Sequence, residues 1–220
     1  MAQASDDMTL DALRIALAPD IAAAAAFDGW SAQAVAAAAE ARGVDPDVAA
    51  YAFKDGAMAM IAAWIASIDA AMGDALPQDV LAAMPVRERI RRLVLFRLDA
   101  VAGREEGLRR ALAIMAMPRN AGQALRLGWH SADAMWRLAG DTATDYNHYT
   151  KRTILGGVYA ATLAVFADDD SEGKAETRAF LDRRIEGIMR FEKAKARILK
   201  PEVSGFSPAR FLGRLRYPAR

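Results

Sequence analysis

GWSAQAVAAAAEARGVDPDVAAYAFKD, residues 29–55, is the stretch that decides the fold of this chain. Its punctuation is that of two short helices. Ser31 offers a side-chain oxygen to the unpaired amides of a first turn, and Gly43 supplies the left-handed residue that commonly stops a helix. Asp45-Pro46 opens the next helix, with Asp as the cap and Pro at the first helical position, where its missing N–H costs nothing. Between these signals the run is mostly alanine, the residue that loses least side-chain freedom on becoming helical. Upstream, Thr9 caps a longer helix over residues 9–27, and Gly29 lies just past its end. A longer helix followed by two short ones joined at Arg42-Gly43-Val44 has the layout of a helix-turn-helix.

The same reading carried downstream predicts helices over residues 55–76, 85–101, 105–117, 122–138, 146–167 and 172–199. Pro77 ends the first of these and Pro118 the third. Residues 201–205 read as a linker, and Ser207-Pro208 opens a last short helix over 207–216. No segment alternates with the period of a strand, so the fold class is all-α. The expected organisation is a three-helix lobe at 1–54, a larger helical domain at 55–200, and a linker with a tail at 201–220.

With 220 residues, 54% of them hydrophobic, the chain can bury one large core. The formal net charge of +1 gives no global pull toward nucleic acid. The absence of cysteine removes disulfides, thiolate nucleophiles and thiolate metal sites together. Asp6, Asp7 and Asp11 stand near the start without a basic residue, so no signal or transit peptide is expected. The longest apolar stretches, 57–66 and 154–166, fall short of the roughly 20 residues a membrane span needs. The bias toward arginine and alanine suggests a bacterial gene of high GC content.

Gly29, Ser31, Val35, Gly43-Val44, Tyr51 and Phe53-Lys54-Asp55 resemble the TetR regulator pattern, which implies a helical ligand-binding domain after the first three helices. Taken as functional, that resemblance implies a ligand-responsive transcriptional regulator. Charge argues against it. Residues 1–60 hold nine acids (Asp6, Asp7, Asp11, Asp20, Asp28, Glu40, Asp45, Asp47, Asp55) and three bases (Arg14, Arg42, Lys54). Affinity for DNA comes largely from neutralising phosphates with Lys and Arg, and here the second short helix begins with Asp45 and Asp47. No nucleic-acid partner is expected.

Three later segments carry a more specific resemblance: ALAIMAMPRN at 111–120, DAMWRLAGD at 133–141 and TDYNHYTKR at 144–152. Together with Gly29-Trp30-Ser31 and Lys54-Asp55-Gly56, they resemble the ubiquinone-biosynthesis accessory lipid-binding family over roughly residues 27–199. The resemblance implies a TetR-like helical fold with an apolar pocket for an isoprenoid quinone precursor or a phospholipid, and no chemistry or cofactor of its own. It implies that the lipid is presented to the di-iron demethoxyubiquinone hydroxylase, docked by a surface patch at Met117, Pro118, Arg119, Asn120, His148 and Tyr149. Arg119 and His148 depart from the residues expected there, tryptophan being common at the latter. A homodimer, and a cytoplasmic protein held peripherally at the bacterial inner membrane, complete the expectation.

The residues permit this reading without the resemblance. The segment from Ile154 through Leu155, Val158, Tyr159 and Leu163 is apolar nearly all round, as in a helix buried on several sides. Gly156-Gly157 in its middle makes room either for a neighbouring helix or for a ligand. Met115 and Met135, with Met58, Met60, Met72 and Met117, are either plain core or a soft lining suited to a flexible chain. The expected lipid-binding set is therefore Met115, Met135, Ile154, Leu155, Gly156, Val158, Tyr159 and Leu163. In the tail, Phe206, Phe211, Leu212 and Leu215 form an apolar set flanked by Arg210 and Arg214, the composition of an interfacial anchor for anionic lipid. The two histidines, His130 and His148, lack the Glu-x-x-His spacing of a di-iron bundle, and no metal site is expected. A structural scaffold without bound lipid is the third possibility.

Overall fold

The computed structural model describes residues 8–142 and 146–199, and every regular element among them is a helix. They are α1 (Leu10–Asp28), α2 (Ala32–Arg42), α3 (Pro46–Ala52), α4 (Ala57–Ala75), α5 (Gln78–Ala82), α6 (Val86–Val101), α7 (Glu105–Met115), α8 (Ala121–Leu138), α9 (Tyr146–Asp168) and α10 (Ala175–Leu199). Single 3-10 turns stand at Pro118–Asn120 and Glu172–Lys174. By its internal contacts the chain divides into two compact units, Met1–Asp182 and Arg183–Arg220, and α1 to α9 lie in the first.

The N-terminal signals act as their chemistry requires. Thr9 accepts from the Ala12 N–H, Ser31 from Ala34, and Asp45 from both Asp47 and Val48. Gly43 closes α2 at φ 65° and ψ 32°, a conformation that costs a residue with a Cβ about 1 kcal/mol or more. The three bases of this lobe are engaged locally. Arg14 donates to the Ala52 carbonyl (2.7 Å) and pairs with Asp11, Arg42 donates to Asp20 (2.6 Å), and the Lys54 ammonium lies 4.8 Å from the Tyr51 ring centre.

Most ends fall within two or three residues of the sequence reading, and one boundary and one extra helix are instructive. α7 stops at Met115 and not at 117, because a proline disfavours the helical conformation in the residue before it. Met117 is accordingly extended at ψ 137°, and Pro118 starts a 3-10 turn of its own. α5 was not anticipated, since five residues are too few to show a period, yet its Leu81 is fully buried. The expected helix at 207–216, with Phe206, Arg210, Phe211, Leu212, Arg214 and Leu215, lies outside the described residues, as does Asp145.

α1 packs on α2, α4 and α7, which places the first three helices in the same compact unit as the later ones. α4 is long and apolar enough to cross a membrane by length and composition, its apolar character extending beyond residue 66. It packs against α1, α6, α7 and α8, burying Met60, Ile61, Trp64, Ile68 and Met72.

The turn after α9 is fastened by Asp169. Burial pushes its carboxyl up, but four hydrogen bonds of 2.5–2.9 Å from the amides and hydroxyls of Ser171 and Thr177 outweigh that and hold it far below the usual carboxylate range. A carboxylate depressed in the folded state stabilises above its unfolded pKa of about 3.9, and that stabilisation is lost as pH falls through the folded value. Thermal melts of wild type and Asp169→Asn should therefore differ fully at pH 7, begin to converge only below about pH 4, and go on converging as pH falls toward the much lower folded value. A gap independent of pH would show that the carboxylate charge contributes nothing.

A candidate ligand cavity between the later helices

A cavity of about 770 Å³ lies among α4, α6, α7, α8 and α9. Its floor is built by side chains that the helices bury: Ile61, Trp64 and Ile68 from α4, Val101 from α6, Leu108 and Ala111 from α7. Its mouth is marked by lining residues that are exposed, among them Ala116, Ala121, Leu125, Thr153, Gly157 and Ala160. Leu125 is 76% exposed, a large apolar side chain at the rim with nothing over it. The opening therefore runs between the α7–α8 corner and the outer face of α9.

Of the residues expected to hold lipid, Met115, Gly156, Tyr159 and Leu163 line this cavity. Met135, Ile154, Leu155 and Val158 do not: Met135 and Leu155 are buried in the packing around it, and Ile154 and Val158 are half-buried on other faces of their helix. The two glycines of α9 divide the work that sequence left open. A Cβ on Gly156 would touch the Gly128 carbonyl and Ala132 at 3.8–3.9 Å, so it faces α8, whereas a Cβ on Gly157 would meet nothing within 4 Å. Close packing and cavity wall are both present, one residue apart.

The floor also contains a polar set that the sequence reading missed. Arg97 of α6 is 1% exposed and lines the cavity. It pairs with Asp69 of α4, donates to Ser131 Oγ of α8 at 3.0 Å, and stacks its guanidinium 4.9 Å from the Tyr159 ring centre on α9. Its Nε has no hydrogen-bond partner. Burial pushes the Asp69 carboxyl up, and the attraction of Arg97 opposes that without cancelling it. The signal was present in the order Leu93, Val94, Arg97, Leu98, Val101, where an arginine sits on the buried face of an otherwise apolar helix.

Beside the mouth, the Trp129 ring of α8 lies tilted against those of His148 and Tyr149 of α9, with ring centres 6.3 and 5.9 Å away. Tyr149 is 61% exposed and Trp129 lines the cavity. The other expected docking residues form the lip between Ala116 and Ala121. Met117, Pro118 and Arg119 are exposed there, Arg119 reaching Met117 Sδ at 3.5 Å, while Asn120 donates to the Ile114 carbonyl at 2.8 Å and fixes the corner.

The residue run that carried the family resemblance fastens α8 to the start of α9. Arg152, 2% exposed, donates to Asp133 (2.6 Å), Asp141 (3.1 Å) and the His148 carbonyl (3.1 Å), and Lys151 pairs with Asp141 (2.7 Å). Trp136 Nε1 donates to the Lys151 carbonyl at 3.1 Å. Gly140 turns the chain at φ 85°, where a Cβ would stand 3.2 Å from the Arg89 guanidinium. Together these residues build a clasp on the cavity's side wall, where Arg152 is a lining residue.

Residues 121–192, which include that clasp, match the family model described as COQ9. Curated relatives give the same answer over a longer stretch. The chain is 32% identical over 168 residues to ubiquinone biosynthesis protein COQ9, mitochondrial, of Rattus norvegicus, covering 73% of this chain and 54% of that protein. It is 31% identical to the Bos taurus protein of that name and 30% to that of Homo sapiens, with 73% of this chain covered in each. The family is COQ9. The chain spans about half the length of the curated COQ9 relatives it matches. Among solved structures, the TetR transcriptional regulator from Nitrosomonas europaea ATCC 19718 aligns with a TM-score of 0.62 at 21% identity, over 79% of this chain and 96% of that one. That likeness concerns the fold alone, and it makes this COQ9 relative TetR-like as the first three helices imply.

Proposed function

We propose that this chain is a non-catalytic lipid-binding accessory protein of ubiquinone biosynthesis, which shelters isoprenoid quinone precursors and presents them to the di-iron demethoxyubiquinone hydroxylase. The observation that carries the reading is the open, largely apolar cavity of about 770 Å³, within the range of roughly 300–1,000 Å³ for small-molecule sites. It is supported by the names of the COQ9 relatives, which are ubiquinone biosynthesis proteins. A cavity of that size takes a head group and the first isoprene units, with the remaining tail leaving by the mouth. The exposed Met117, Leu125 and Tyr149 cluster around that mouth, so a partner docked on them would receive the ligand directly. Contact of the basic, aromatic tail with an anionic membrane, and pairing of two chains, belong to the same proposal.

The fold likeness to a TetR regulator favours a second reading, a ligand-responsive repressor. Its acidic first lobe, with Arg14 and Arg42 already paired to aspartates, opposes phosphate binding. A sequence-dependent electrophoretic shift that survives moderate salt would reinstate it.

Protein purified gently and extracted into organic solvent should yield an isoprenoid quinone precursor by mass spectrometry. Gly157→Phe, which places a ring in the open space of the cavity wall, should leave helicity unchanged and remove most of the bound lipid. Finding no lipid in the wild type, or the same lipid content in the plugged variant, would sink the carrier reading.

A further inference from the structure

The segments that frame the cavity mouth differ in charge from the first lobe. Residues 107–132, which carry most of α7, the Pro118–Asn120 turn and most of α8, contain no acid, and neither do residues 146–167 of α9. Several bases in these runs are paired: Arg109 and Arg110 with Glu106, Lys151 with Asp141, Arg152 with Asp133 and Asp141. Arg119 and Arg126 are different. Both are exposed, and neither has an acid against it among the described residues, Arg119 reaching only the uncharged Met117 Sδ. Arg119 stands two residues before Ala121, and Arg126 follows Leu125 and comes one turn before Trp129; all three neighbours line the cavity. The large apolar side chains exposed beside them are Met117, Leu125 and Tyr149. In the first lobe Val48 and Tyr51 are exposed as well, but the exposed residues near them in the chain include Asp47 and Asp55. An anionic membrane surface attracts arginine and repels aspartate, while apolar and tyrosine side chains settle at the boundary between head groups and acyl chains.

We propose that the mouth itself seats on an anionic bilayer, with Met117, Leu125 and Tyr149 entering the interface and Arg119 and Arg126 facing lipid phosphates. This contact rests on the carrier reading and deepens it, because it assigns the route by which cargo enters. A ligand crossing water would expose its apolar tail at every transfer, and a mouth pressed against the bilayer keeps that tail covered throughout. One lip then serves two surfaces. A docked protein partner and the bilayer exclude each other, so uptake and delivery alternate.

The chain has no cysteine, so the full chain with Leu125→Cys or Val48→Cys takes a single environment-sensitive nitrobenzoxadiazole label at a known place. Each is titrated with vesicles of phosphatidylcholine alone or with about a third phosphatidylglycerol. The label at 125 should brighten and shift to the blue with the anionic vesicles, far less with the zwitterionic ones, and the label at 48 with neither. Adding Arg119→Ala and Arg126→Ala to the Leu125→Cys chain should raise the anionic lipid needed for half the response about 30-fold, from about 1 kcal/mol for each guanidinium. Vesicle binding with an unresponsive label at 125, an equal response at 48, or no effect of the two arginine replacements overturns the contact at the mouth. So does a failure to bind anionic vesicles at all. The carrier reading is judged separately, by lipid recovered from the purified chain, and stands in each of these cases if that lipid is found.

Discussion

Replacing Asp69 with alanine should cost the fold about 3 kcal/mol, at the lower end of the roughly 3–5 kcal/mol for breaking a buried ion pair by removing one partner. Arg97 is 1% exposed and cannot turn outward without leaving the core of α6. Without Asp69 it keeps only Ser131 Oγ and the face of Tyr159, neither of which carries an opposing charge. About a quarter of the Asp69 side chain remains exposed, so some water reaches the pair, which sets the expectation at the lower end. The double replacement Asp69→Leu with Arg97→Met should recover most of the loss, because well-packed apolar residues commonly substitute for a buried pair without cost. Urea unfolding followed by far-UV circular dichroism reads both. A loss under about 1 kcal/mol for Asp69→Ala would mean that solvent already screens the guanidinium as it does at a surface pair.

The parts of this molecule that sequence could and could not reveal separate by the range of the interactions involved. Thr9, Ser31, Asp45, Gly29 and Gly43 act on amides and carbonyls within four residues of themselves, and the helices they bound are found within a residue or two of the expected ends. Pro118 was read as a stop, but its steric effect falls on Met117 before it, which is why α7 ends earlier. The cavity depends on which faces of five helices meet. α9 is apolar nearly all round, so its periodicity could not choose between Gly156, Tyr159 and Leu163, which line the cavity, and Ile154, Leu155 and Val158, which do not. The floor residues Ile61, Trp64 and Arg97 come from helices far away in the chain, and only the buried arginine among leucines and valines of α6 hinted at it. The motif in residues 133–152 was legible as a family mark, yet nothing in its spacing said that Asp133, Asp141 and Arg152 would form a clasp.

The same substitution, glycine to alanine, should act with opposite sign at Gly107 and Gly157. A Cβ on Gly107 would stand 2.7 Å from the Ala22 backbone carbonyl, a contact that can be relieved only by moving α1 away from α7. Trp30 Nε1 donates to the Gly107 carbonyl at 3.0 Å and its ring packs 5.4 Å from Trp64, so that movement also disturbs the floor of the cavity. Overpacking of this kind costs about 1–3 kcal/mol, and a backbone neighbour places Gly107→Ala near the upper value. Gly157 sits inside α9 with open space around its Cβ position, and alanine there should add up to about 1 kcal/mol through helix propensity. Chemical denaturation of the two variants should thus move the midpoint in opposite directions, with tryptophan emission shifted only in Gly107→Ala. A stabilised Gly107→Ala would mean that α1 and α7 are not held in close approach. The closeness matters because α1 begins the acidic three-helix lobe while α7 supplies Leu108, Ala111 and Met115 to the cavity. Through Gly107 a lobe poorly suited to phosphates packs directly against a helix that lines the cavity.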